Sequence, residues 1–251
     1  MNKVYFIGAG PGDPELITIK GKRLIDESDV IIYAGSLVNE KMLRDRKQES
    51  LVYNSAYMTL EEVISVIKEN FTKGKKVVRI HSGDPSIYGA IREQIDALEK
   101  LGIDSEVVPG VSSFVASAAA IKKEFTLPGV SQTIICTRLG GRTEVPEKER
   151  LESLASHNAS MAIFLSVQMI DQVAERLKSH YKETTPVAVI QRVSWEDEKI
   201  IIGNLSNIAE KVKKEGITKT AQILVGDFLG DEYELSKLYD SNFSHGYRRA
   251  K

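Results

Sequence analysis

Short apolar runs alternate with amphipathic stretches along the first half of the chain. Val4 to Gly8, Val30 to Tyr33, Leu51 to Tyr53, Val77 to His81 and Ser105 to Val108 have the length and apolar content of strands. Leu60 to Lys73 carries Leu60, Val63, Ile64 and Ile67 on one stripe, and Tyr88 to Leu101 has a similar helical period. Ser113 to Ala120, rich in alanine, reads as a closely packed helix closing this unit. Strand and helix in alternation predict an α/β domain with a largely parallel sheet.

Charge, Pro128 and Gly129 interrupt the pattern between Lys122 and Val130, and the second half has another texture. Thr133 to Thr137, Ala162 to Leu165, Val187 to Arg192, Ile200 to Gly203 and Gln222 to Val225 read as strands. Two of them flank Glu196-Asp197-Glu198 with no room for a helix, which predicts an antiparallel hairpin with a solvated acidic tip. The expected organisation is two α/β domains: residues 1–118 with a largely parallel sheet, and residues 119–251 with a mixed sheet and a C-terminal tail.

Composition narrows the class. The 251 residues are 42% hydrophobic and 27% charged, with a formal net charge of -1. That balance argues against bulk attraction to nucleic acid, which needs a basic face. No apolar stretch approaches about 18 residues, so no membrane span is expected, and the N-terminal run is too short for a signal-peptide core. The single cysteine, Cys136, lies in a run that reads as a buried strand, where it would serve packing; a lone cysteine suits a reducing cytoplasm. The four histidines show no metal-ligand spacing; His157 and His180 read as surface residues, and His81 as a packing or hydrogen-bonding group.

The first strand runs into Gly8-Ala9-Gly10-Pro11-Gly12-Asp13. A dinucleotide-binding loop needs a third glycine at the position of Asp13, and no acidic residue follows Tyr33 to hold a ribose. The loop nevertheless sits at the carboxyl end of a strand, where open α/β sheets bind ligands. Two more strand ends carry comparable turns: His81-Ser82-Gly83-Asp84-Pro85-Ser86-Ile87-Tyr88-Gly89 and Val108-Pro109-Gly110-Val111-Ser112-Ser113. Small residues there would let a ligand approach the backbone closely. Asp84 could accept hydrogen bonds from a ribose or an ammonium group, and Ser112 and Ser113 could bind an adenine or carboxylate edge.

Together these loops resemble the S-adenosylmethionine-dependent tetrapyrrole (corrin and porphyrin) methyltransferase family. Gly8 to Asp13 with Leu16-Ile17-Thr18 matches one family pattern, and Gly83 to Gly89 with Pro109-Gly110 matches a second. The resemblance spans essentially the whole chain. Tyr33 to Val38, Gly141 to Glu147, Ser194-Trp195-Glu196-Asp197-Glu198 and the tail from Ser236 to Arg248 are similar to the branch that methylates precorrin-4 at C-11. Gly35 and Glu144 depart from that branch's more usual Asp and Pro. The uroporphyrinogen branch carries Asp where this chain has Ala34.

The resemblance implies a cytoplasmic homodimer with S-adenosylmethionine in a cleft between the domains and a tetrapyrrole substrate, with or without cobalt, the cobalt form being favoured. Carried over by position, the cofactor contacts are Pro11, Gly83, Asp84, Ile87, Tyr88, Ser112, Ser113, Leu165, Val193 and Ala221. The substrate's carboxylates call for guanidinium partners, for which Arg138, Arg142, Arg192, Arg248 and Arg249, with His245, are the candidates. A neutral chain facing such a substrate should gather arginines around one cleft. No protein group is assigned as an essential base, and no nucleic acid, membrane or protein-bound metal is expected. The competing expectations are a sister methylase acting at another macrocycle carbon and a dinucleotide-binding dehydrogenase or regulator.

Overall fold

The first sheet has five strands, all parallel, in the order β3-β2-β4-β1-β5: β1 (Val4–Gly8), β2 (Val30–Tyr33), β3 (Leu51–Asn54), β4 (Val77–His81) and β5 (Ser105–Val108). These elements come from a computed structural model that describes residues 3–141 and 143–250. Strand polarity within this sheet follows from the connections, because parallel neighbours need a crossover segment between them. The crossovers include α1 (Ile19–Asp26), α2 (Leu60–Thr72) and α3 (Arg92–Lys100).

Both faces of the sheet are covered, as a parallel sheet requires. On one face Ile7, Ile31, Val78 and Ile80 pack with Leu24 and Ile25 of α1 and with Met42. On the other, Val4, Phe6, Ile32 and Val77 pack with Val63 and Ile67 of α2 and Leu98 of α3. Helix α2 starts with a reciprocal cap: Thr59 accepts from the Glu62 amide and Glu62 accepts from the Thr59 amide. Helix α3 begins at Arg92 rather than at the expected Tyr88. Tyr88 and Ala90 have φ of 55° and 49°, and a Cβ on Gly89 would lie 2.1 Å from the Pro85 carbonyl oxygen, so this segment cannot continue a right-handed helix.

The second sheet is mixed, in the order β6-β7-β10-β8-β9: β6 (Ile134–Arg138), β7 (Ser160–Phe164), β8 (Pro186–Gln191), β9 (Lys199–Asn204) and β10 (Ala221–Val225). Only β6 and β7 are parallel. β8 and β9 form the antiparallel hairpin that the spacing around Glu196 predicts, with Gln191 opposite Lys199. After α4 (Ser113–Ala120), three helices cover this sheet: α5 (Leu151–Ala155), α6 (Ile170–Leu177) and α7 (Ile208–Lys214). Ile170, Val173, Ala174 and Leu177, spaced at helical intervals, bury one stripe of α6 against Met161, Ile163, Val187 and Ile223.

Cys136 departs from its expected burial. It lies on β6, an edge strand on which Ile134 and Cys136 are exposed while Thr137 is buried. An apolar run reads alike on an edge and in the middle of a sheet; the partner strand decides.

By contacts the chain divides into Met1–Ala116 with Arg192–Asp197, and Ser117–Gln191 with Glu198–Lys251. The division by sequence at 118/119 had left the tip of the β8–β9 hairpin in the second half; by contacts that tip counts with the first unit. No helix among the described residues is long and apolar enough to cross a membrane.

Candidate active site

In the first unit the three glycine turns leave the carboxyl ends of β1, β4 and β5, which are neighbours in the sheet. They touch one another through bare backbone. A Cβ on Gly8 would lie 2.6 Å from the Gly83 oxygen and 2.7 Å from Gly110 Cα; one on Gly110 would lie 2.2 Å from the Gly83 oxygen. Gly10 and Gly83 exchange backbone hydrogen bonds of 3.2 and 2.8 Å, and the Ala9 amide donates to the His81 carbonyl at 2.8 Å. Glycine is therefore required at 8 and 110 for loop-to-loop packing, where the sequence suggested room for a ligand.

Asp84 ties two of these turns together. One carboxylate oxygen accepts the Ser86 amide at 2.8 Å and the other accepts the Gly110 amide at 2.9 Å. Each oxygen keeps a further lone pair, so Asp84 can still receive a ligand donor while holding the turns in register. Ile87 and Tyr88 follow on the same turn, Ile87 half-buried and Tyr88 46% exposed with a left-handed backbone. Gly83 has a φ of 61° and no atom within 3.6 Å of where a Cβ would sit, unlike Gly8 and Gly110. Ser112 is buried and Ser113 opens α4.

Pro11 is buried, and its turn is held by residues that the sequence did not assign to it. Trp195 Nε1 donates to the Pro11 carbonyl at 2.9 Å, Asn39 Nδ2 donates to the Gly12 carbonyl at 2.9 Å, and the Asp13 amide donates to Ser194 Oγ at 2.9 Å. The Trp195 ring fills the space beside Gly12: a Cβ there would lie 2.1 Å from Cδ1. Glu196 pairs with Lys41, and the Arg192 guanidinium stacks over the indole at 3.9 Å while donating to Asp197 at 2.7 Å. Arg192 and Ser194 take φ of 48° and 65°, the sharp bends that turn this tip. Val193 between them is buried.

Beneath the second turn, His81 is 4% exposed and its ring stacks on Phe6 with centroids 5.9 Å apart. Burial, reinforced by the Arg79 charge, pushes its pKa down to about 3, so it is neutral at physiological pH. Arg79 is buried too; burial lowers its pKa to about 10, and it stays charged.

In the second unit, Leu165 and Ala221 meet at one end of the sheet. The register that sets Ile163 opposite Ile223 brings 165 level with 221, and Ala221 pairs with Gln191 on its other side. Leu165 is 71% exposed with a φ of 53°, and Thr220 has a φ of 55°. Non-glycine residues in this region cost energy and gather where a fold presents backbone to a ligand.

The arginines are less free than the sequence suggested. Arg138 donates to the carbonyls of Thr143 at 2.9 Å and Glu144 at 2.8 Å, folding the loop that follows β6. Arg192 is engaged as described. Arg248 donates to the carbonyls of Leu238, Asp240 and Phe243, and pairs through its backbone with His245, so both residues shape the tail. Arg249 is exposed, and Arg142 lies outside the described residues. Among the described residues no cluster of His, Cys, Asp and Glu could hold a metal.

Comparison with known proteins supplies what geometry alone does not. Residues 3–209 match the family model of the tetrapyrrole (corrin/porphyrin) methylases. The cobalt-precorrin-4 C(11)-methyltransferase of Methanocaldococcus jannaschii is 62% identical over 250 residues, 99% of this chain and 96% of that one. A solved cobalamin biosynthetic enzyme, cobalt precorrin-4 methyltransferase, superposes with a TM-score of 0.89 at 43% identity, over 91% of this chain and 96% of that chain. The uroporphyrin-III C-methyltransferase of Thermus thermophilus, solved with S-adenosylhomocysteine, gives 0.76 at 27% identity, over 91% and 94%. The chain belongs to the tetrapyrrole (corrin/porphyrin) methylase family.

Proposed function

We propose that the protein is an S-adenosylmethionine-dependent C-methyltransferase of corrin assembly that methylates cobalt-precorrin-4, or its cobalt-free form, at C-11 to give the corresponding precorrin-5. The observation that carries this reading is the 62% identity, extending over 99% of the chain, to a protein named for that reaction on the cobalt substrate.

The residues present suit the methyl donor. The Asp84 carboxylate with spare lone pairs, the exposed Tyr88 and the serines at the start of α4 offer acceptors for an ammonium and for ribose hydroxyls. When bound, S-adenosylmethionine supplies an electrophilic methyl on a sulfonium. We assign Pro11, Gly83, Asp84, Ile87, Tyr88, Ser112 and Ser113 to its binding, and, on the family resemblance, Val193, Leu165 and Ala221.

The chain's chemical task is alignment. The electron-rich macrocycle carbon is itself the nucleophile, so no serine, cysteine or base has to be activated. Fixing two reactants in line can contribute about 7 to 11 kcal/mol through effective molarity. Turns held by backbone packing and hydrogen bonds present their groups already oriented, which avoids reorganisation during transfer. For the substrate's carboxylates the candidates remain Arg138, Arg142, Arg192, Arg248, Arg249 and His245; a guanidinium has five donors, so carbonyl partners leave some for a carboxylate.

The test is turnover with metal-free and cobalt-loaded precorrin-4 in parallel, read by mass spectrometry. Gain of one methyl at C-11, faster on the cobalt form, is the expected result; methylation at another carbon would make the protein a sister methylase. Calorimetry with S-adenosylhomocysteine and NAD separates the classes, and binding of NAD alone would overturn the reading. We further propose a cytoplasmic homodimer, for which light scattering at the monomer mass is the refuting outcome.

A further inference from the structure

The turn that carries Ile87 and Tyr88 is strained, and the groups that hold it lie on its buried side. Tyr88 and Ala90 are both left-handed, and Gly89 between them is pressed against the Pro85 carbonyl. Such a segment persists only where its surroundings over-determine it. Gln94, 6% exposed in the first turn of α3, donates through Nε2 to the Ala90 carbonyl at 2.9 Å. Its Oε1 accepts from Arg79 Nε at 3.2 Å. Arg79 also donates to the carbonyls of Ile32 and Ile80, at 3.4 and 3.2 Å, so these three acceptors are all neutral.

The Ala90 carbonyl is thus fastened from below by Gln94, which is itself fixed by burial and by Arg79.

We propose that Arg79 and Gln94 form a buried positioning scaffold that sets the Tyr88 to Ala90 turn in its donor-binding shape before the methyl donor arrives. The inference rests on the assignment of Ile87 and Tyr88 to the donor site. Neither residue needs to touch the donor. Their effect is to remove the cost of ordering the turn on binding, which is how preorganisation raises affinity.

The test is Gln94→Glu, which keeps an acceptor for Arg79 and loses the donor to Ala90. Dissociation constants for S-adenosylhomocysteine are measured by calorimetry well below each variant's melting temperature, with amide hydrogen exchange of residues 86–92 in the free protein.

The expected result is about tenfold weaker binding for Gln94→Glu, the size of one lost preorganising bond. Exchange in the turn should be faster in this variant. Leu98→Ala, a core variant of α3 away from the turn, should lower the melting temperature without changing affinity. Native affinity or native exchange in Gln94→Glu would overturn the scaffold alone. A native chain that binds no S-adenosylhomocysteine would overturn the donor-site reading and the scaffold with it.

Discussion

Replacing Gly12 by alanine tests whether the Trp195 tip and the first glycine turn act as one packed unit. The added methyl would sit 2.1, 2.2 and 2.8 Å from indole Cδ1, Nε1 and Cγ, so the ring has to leave. Gly12 does not take a positive φ, so the cost is one of space. Overpacking accounts for about 1 to 3 kcal/mol. Losing the bond from Nε1 to Pro11 adds about 1 kcal/mol, and losing the Arg192 stack about 0.5 to 1 kcal/mol. A total of about 2.5 to 5 kcal/mol corresponds to a fall in melting temperature of about 5 to 20 °C for a chain of this size. The assay is a double-mutant cycle by calorimetric unfolding. With Trp195→Ala already present, Gly12→Ala should cost less than about 0.5 kcal/mol, since no ring remains to displace. Equal costs in the two backgrounds would refute the argument.

Other measurements follow from the same geometry. Asp84→Ala removes an acceptor from two backbone amides, so stability should fall by about 2 to 4 kcal/mol and S-adenosylhomocysteine should bind more weakly; unchanged melting and affinity would show that the turns hold without it. His81 has its pKa lowered to about 3 in the fold, so between that value and its ordinary 6.5 the unfolded chain binds the extra proton. Stability from this group is present above pH 6.5 and is lost as pH falls, by on the order of 4 kcal/mol at pH 3. In denaturant titrations from pH 7 to 4, His81→Phe should therefore lose less stability than the native protein, and parallel curves would contradict the assignment. Arg248→Ala frees the carbonyls of Leu238, Asp240 and Phe243, so the tail should become more protease-sensitive while S-adenosylhomocysteine binding holds. Removing residues 241–251 should impair macrocycle turnover more than donor binding; equal losses would make the tail purely structural.

The strands were legible because apolar runs of four to six residues between turn signals have few other interpretations. β1, β2, β4 and β5 begin and end where their hydrophobic patterns do. What the pattern could not carry was position within a sheet: Cys136 reads like its buried neighbours and is exposed because β6 has a strand on one side only. The start of α3 was obscured because Tyr88 and Ala90 keep the helical period while their backbones bend the other way. At the site, the three turns stood out by their glycines, yet the reason for Gly8 and Gly110 is another loop rather than a ligand. Trp195 was visible as part of a motif. Its bond to Pro11 spans 184 residues of sequence, and no local spacing encodes such a contact.

The meeting of Gly8, Gly83 and Gly110 has a consequence for anyone redesigning this enzyme. A methyl at 8 or 110 collides with main chain belonging to the other turns, and main chain cannot be trimmed by a compensating substitution. Loop grafts that exchange one turn for a related sequence therefore have to preserve the path of the other two. The practical unit of transplantation is the whole set of strand ends, moved together with the two central glycine contacts intact.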